Sequence, residues 1–89
     1  MTYHVQFTPQ ALEDLSQLDT PIARRIAEKI QWLAEHYDQI HPETLTGPFA
    51  SLFKLRVGDW RVLYTTDPAQ RIITVHVIAH RSKVYKSTK

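Results

Sequence analysis

From Leu52 to Thr66 the chain reads LFKLRVGDWRVLYTT, two alternating apolar stretches that meet at Gly58-Asp59. Glycine takes a positive φ without strain, and a two-residue glycine turn between such stretches predicts an antiparallel hairpin. In the first arm Phe53, Leu55 and Val57 fall on one side, and Leu52, Lys54 and Arg56 on the other. In the return arm Trp60 and Tyr64 alternate with Arg61, so the aromatic rings are expected to face a core. Lys54, Arg56 and Arg61 are then expected to project positive charge from the other side. A lone hairpin is marginal in water, so the remaining chain has to cover its apolar face.

The remaining chain supplies such a cover. Tyr3, Val5 and Phe7 alternate with Thr2, His4 and Gln6, the period of a half-buried strand. Thr8-Pro9 is a helix start, a hydroxyl to cap and a proline harmless in the first turn. Ala11, Leu12, Leu15 and Leu18 follow at helical spacing. Thr20-Pro21 repeats the signal before Ile22, Ile26, Ile30, Leu33 and Tyr37, a second helical stripe. His41 to Pro48, with two prolines and a glycine, reads as a loop, and Phe49 to Val57 as a strand. Asp67-Pro68 ends the return arm, and Ile72 to Ala79 is a third, β-branched strand expected to be central. The polar end from Arg81 predicts a short helix or a tail. Residues 1–89 therefore form one α+β domain: a small twisted, mainly antiparallel sheet with an N-terminal strand, a two-helix hairpin on one face and three C-terminal strands.

Charge is segregated along this order. Residues 1–49 carry three of the 11 Lys and Arg and seven of the 9 Asp and Glu; residues 50–89 carry the other eight cations, with only Asp59 and Asp67 against them. The second half can present a positive face to a polyanion. Several other chemistries are disfavoured. Two glycines cannot build a phosphate-cradling loop. His76 and His80 are read as sharing a strand face about 13 Å apart, too far to chelate one ion, so no metal is expected. No serine stands in a nucleophile-elbow context. The chain has no cysteine, no run long enough to span a bilayer and no signal-peptide pattern, so a soluble cytoplasmic protein without a cofactor is expected.

What remains is a set of cations around a sheet. Cutting an RNA backbone without metal needs a base for the 2′-hydroxyl, positive charge on the phosphorane and a proton for the leaving oxygen. A lysine flanked by arginines suits the first need, and arginines clamp phosphate oxygens for the second. Lys54, Arg61, Arg81 and Tyr85 are candidates. From spacing alone, phosphate binding without cleavage is the simpler reading, and a non-catalytic RNA-binding module with Trp60, Tyr64 and Tyr85 as stacking rings stays open.

LFKLRVGDWRVLY followed by VIAHRSKVY resembles the RelE/ParE superfamily of bacterial toxins, along nearly the whole chain. The resemblance implies a small twisted sheet with two helices across one face and the active site on the other. RelE-like members cut mRNA in the ribosomal A site and inhibit translation, in complex with ribosome and mRNA, and are neutralised by a cognate antitoxin. By that resemblance Lys54 is the candidate base, Arg61 stabilises the phosphorane, Arg81 serves the leaving-group side, and Tyr85 stacks on substrate or orients its nucleophile. Arg56, Lys83 and Lys86 are read as further RNA contacts. Leu52 stands where a second lysine is often found, which leaves His80 or Lys83 to supply the missing group. ParE-like members keep the fold but poison DNA gyrase, the alternative reading.

Overall fold

The computed structural model describes residues 2–40, 43–44 and 52–86. Tyr3 is buried just before strand β1 (His4–Phe7), which packs Val5 and Phe7 against the core while His4 and Gln6 stay in solvent. Thr8 then ends the strand and starts helix α1 (Pro9–Ser16). Its Oγ1 accepts the Ala11 N–H at 3.1 Å and donates to the His76 carbonyl at 3.2 Å. Its own N–H donates to the Val75 carbonyl at 3.0 Å. One residue thus caps a helix and pins it to the sheet.

Helix α2 (Thr20–His36) carries the expected stripe inward: Ile26, Ile30 and Leu33 are buried, with Ile22 and Tyr37 packed beside them. Its start differs from the sequence reading. Asp19, not Thr20, is the N-cap, and it makes no side-chain cap bond. The Ala23 N–H already reaches the Asp19 carbonyl at 2.9 Å, so Thr20 and Pro21 lie inside the first turn, where a missing proline N–H costs nothing. In α1, Ala11 is buried but Leu12 is 54% exposed, so the expected stripe is narrower there.

The sheet is mixed and five-stranded, ordered β1-β5-β4-β3-β2. Its members are β2 (Glu43–Thr44), β3 (Phe53–Val57), β4 (Trp60–Asp67) and β5 (Ile72–His80), beside β1. Only β1 and β5 run parallel; the other pairs are antiparallel. Glu43 and Thr44, read from sequence as loop, pair with Lys54 and Phe53 and give β3 a neighbour at that end. Residues 49–51, expected in the same strand as Phe53, and the rest of the expected loop lie outside the described residues. Helix α3 (Arg81–Lys86) follows β5 directly, so of the short helix or tail expected there the helix is what forms.

Between β4 and β5 the register steps from Leu63 opposite Val77 to Tyr64 opposite Val75, leaving His76 as an extra residue. This bulge changes which way β5 side chains point. His76 Nε2 lies 2.8 Å from Thr65 Oγ1, on the face away from the helices. The His80 ring meets Trp60, itself packed on the helix-side core. The two histidines therefore stand on opposite faces, where simple alternation had put them on one.

The core lies between the helices and one sheet face: Tyr3, Ile26, Ile30, Leu33, Leu55, Val57, Val62, Tyr64, Ile73, Val75 and Ile78. Tyr37 links Tyr3 (centroids 5.0 Å apart) to Tyr64 (6.0 Å, edge-on), and Phe53 tilts against Tyr64 at 5.6 Å. At the β4–β5 turn Arg71 takes φ 55°, lies over the Tyr3 ring and pairs with Asp38 at 2.8 Å. That hydrogen bond holds the Asp38 carboxyl below its ordinary value. Among the described residues no helix is long and apolar enough to cross a membrane.

Candidate active site

On β3 and β4, the residues facing away from the helices form cross-strand rows. Lys54 stands opposite Leu63, which stands opposite Val77; Arg56 stands opposite Arg61, which stands opposite Ala79. Lys54, Arg56 and Arg61 are thus brought to one face of the hairpin, as the alternation of β3 and β4 requires. They are not equally exposed. Arg56 is exposed and Lys54 half-buried, but Arg61 is only 5% exposed.

The expectation that Arg61 projects its charge outward is therefore corrected. Its Nη1 donates to the Gly58 carbonyl at 3.0 Å and the Trp60 carbonyl at 2.9 Å, folding the guanidinium back over its own hairpin. Two directly opposed arginines repel; turning Arg61 inward while Arg56 stays in solvent separates their charges. Arg61 Nε is buried and makes no hydrogen bond, and no carboxylate pairs with Arg61 among the described residues. Charged groups in such surroundings are ordinarily paired, and a guanidinium of this kind can take an anion as its partner.

Arg81 comes to the same end of the sheet. Its N–H donates to the Asp59 carbonyl at 2.8 Å, and its Nε lies 3.8 Å from the Asp59 carboxylate, with both side chains largely in solvent. The hairpin turn, where Gly58 alone has positive φ (59°), thus anchors both arginines: Gly58 offers a carbonyl to Arg61 and Asp59 one to Arg81.

His80 is not gathered with Lys54 and Arg61. Its ring stands edge-on to Trp60, 5.5 Å between centroids, on the helix side. Its Nδ1 accepts the Ser82 N–H at 3.3 Å and lies 3.0 Å from Ser82 Oγ, which puts the proton of the neutral ring on Nε2. Lys83 is exposed and lines the same side. Tyr85 and Lys86 belong to α3, and their side chains lie outside the described residues. Conversely, His76 joins the Lys54 and Arg61 face through the bulge, a placement no local spacing signals. Among the described residues no three His, Cys, Asp or Glu side chains group to hold a metal ion.

The family described as ParE toxin of type II toxin–antitoxin system, parDE, matches residues 5–85. Solved structures share the fold. The toxin–antitoxin complex RelBE2 from Mycobacterium tuberculosis superposes with TM-score 0.81 at 26% identity, over 92% of this chain and 94% of that one. The archaeal RelE–RelB complex from Pyrococcus horikoshii gives 0.72 at 24% identity, over 93% and 99%. The YoeB dimer from Staphylococcus aureus gives 0.69 at 22%, over 90% and 98%. No curated protein matches the chain.

Proposed function

The chain belongs to the ParE toxin family of type II toxin–antitoxin systems, and from that premise we propose that it is a ribosome-dependent, metal-independent endoribonuclease. In this reading it cuts mRNA in the ribosomal A site, stops translation and is restrained by its cognate antitoxin. The observation that carries it is the buried Arg61 guanidinium, unpaired with any carboxylate among the described residues and flanked on its face by Lys54 and Arg56. A scissile phosphate is the anion that such a face suits.

Lys54 takes the proton of the 2′-hydroxyl, whose oxygen attacks the adjacent phosphorus. Arg61 offsets the charge that grows on the phosphorane oxygens. The bond to the 5′-oxygen then breaks, with Arg81 stabilising that oxygen until it takes a proton from solvent; a guanidinium does not give one up. Tyr85 stacks on a splayed base, and Arg56, Lys83 and Lys86 hold flanking phosphates. The likeness to RelE and YoeB structures supports this branch, while the ParE description of the matching family keeps the gyrase-poison reading as its competitor.

Mapping mRNA 5′ ends on translating ribosomes separates them. New ends at A-site codons are expected, and Arg81→Ala should suppress them by roughly 10²-fold, the scale of losing one preorganised charge donor. Broken DNA with intact mRNA would establish the gyrase reading. RNA affinity without new ends would reduce the chain to a binding module.

A further inference from the structure

A recess opens on the helix side of the sheet, where β4 begins and β5 ends. It is a cleft of about 420 Å³, walled by Asp14, Gln17 and Leu18 from the α1 side and by Trp60, His80 and Lys83 from the sheet side. We propose that this cleft is a nucleobase subsite that takes a guanine of the RNA next to the cleaved phosphate; the assignment to RNA rests on the ribonuclease reading above.

The lining matches a flat, hydrogen-bonding heterocycle. Trp60 and His80 are cross-strand partners whose rings stand at 88° with centroids 5.5 Å apart. Two walls at right angles let a base lie on one ring and abut the edge of the other. Asp14 is held rigidly: one carboxylate oxygen accepts the Ile78 N–H at 3.0 Å, where β1 no longer pairs with β5, and the other accepts from the Gln10 amide at 2.8 Å. Each oxygen keeps a second lone pair. A carboxylate at a recognition site calls for neighbouring N–H donors, and guanine presents two side by side at N1 and N2. An acidic peptide would be repelled by the same group.

The cleft also borders the hairpin end that carries the candidate phosphate contacts. Trp60 and Arg61 are consecutive residues pointing to opposite faces, so the cleft and the Arg61 face share the hairpin end. Arg81 follows His80 and is tied to that hairpin through Asp59. An RNA strand that sets a phosphate against Arg81 therefore crosses the rim between the two.

The sequence holds two tryptophans, so Trp32→Phe leaves Trp60 as the only indole reporter. The full chain carrying that change is titrated with 5′-GMP, 5′-AMP, 5′-CMP and 5′-UMP to about 20 mM at fixed ionic strength, since single nucleotides bind in the millimolar range. Saturable change in Trp60 fluorescence is expected, with GMP preferred by roughly tenfold, the discrimination one bidentate pair supplies. Asp14→Asn still offers an acceptor to the Ile78 N–H and should erase that preference, with an unchanged circular dichroism spectrum; His80→Ala should weaken every nucleotide. No saturation with any nucleotide, or a GMP preference surviving Asp14→Asn, overturns the subsite. Saturation without cleavage on ribosomes keeps the subsite and removes the nuclease reading; cleavage with a silent Trp60 does the reverse.

Discussion

Arg61 carries two roles that a mutation alone would confound. Buried to 5% exposure and bonded to two hairpin carbonyls, it supports the fold as well as facing a candidate phosphate. Hydrogen bonds from a charged donor contribute about 1.5–3 kcal/mol, so Arg61→Ala should lower the unfolding free energy by about 2–3 kcal/mol in urea titrations. Arg81, exposed and 3.8 Å from Asp59, makes a weak surface pair, and Arg81→Ala should cost no more than about 0.5 kcal/mol. Equal, small effects for both would mean that the carbonyl contacts of Arg61 add nothing to stability. Lost toxicity in Arg81→Ala is therefore the cleaner sign of lost chemistry. The sequence identified Arg61 by type and spacing; its burial depends on carbonyls of its own turn, which a charge pattern cannot reveal.

The β3–β4 hairpin is the element on which the candidate site depends, and Gly58 is its hinge of conformation. A Cβ added there would meet Arg25 Nη1 at 3.6 Å, an ordinary contact, so the cost of Gly58→Ala lies in its φ of 59°. A left-handed alanine costs about 1–2 kcal/mol, which for a domain of this size should lower Tm by roughly 4–15 °C in calorimetry. A Tm unchanged within error would show that the turn relaxes to another type. This hairpin was legible because glycine and alternation both marked it, and the α2 stripe was legible because its spacing is strict. The His76 bulge was not: Val75, Val77 and Ile78 fit either phase of a strand buried on both faces, so hydrophobicity left the register open. Strand β2 was equally hidden, since two residues beside Pro42 carry no period. Tyr85, legible as a motif member, and Lys86, read as an RNA contact, have side chains outside the described residues.

At the scale of the molecule, the polarised charge of the sequence becomes a division between elements: α1 holds Glu13 and Asp14 and no cation, while β3, β4 and α3 hold the cations around the hairpin. Cations concentrated at the sheet end, beside an α1 that carries only acids, orient an approaching polyanion toward Arg61 and Arg81. Binding to single-stranded RNA should then depend steeply on salt. If Arg56, Arg81, Lys83 and Lys86 each displace a counterion, log Kd should rise with log salt at a slope of about 3, near 0.7 per contact. Fluorescence anisotropy of a labelled oligonucleotide across a salt series gives this slope, and Arg81→Ala should lower it by about 0.7 without altering the affinity ratio between sequences. The exposed side of α2 supplies the control: Glu28→Gln and Glu35→Gln should leave the slope unchanged. A slope that fell equally with those substitutions and with Arg81→Ala would mean that the whole molecule's net charge, and not the hairpin end, draws the RNA.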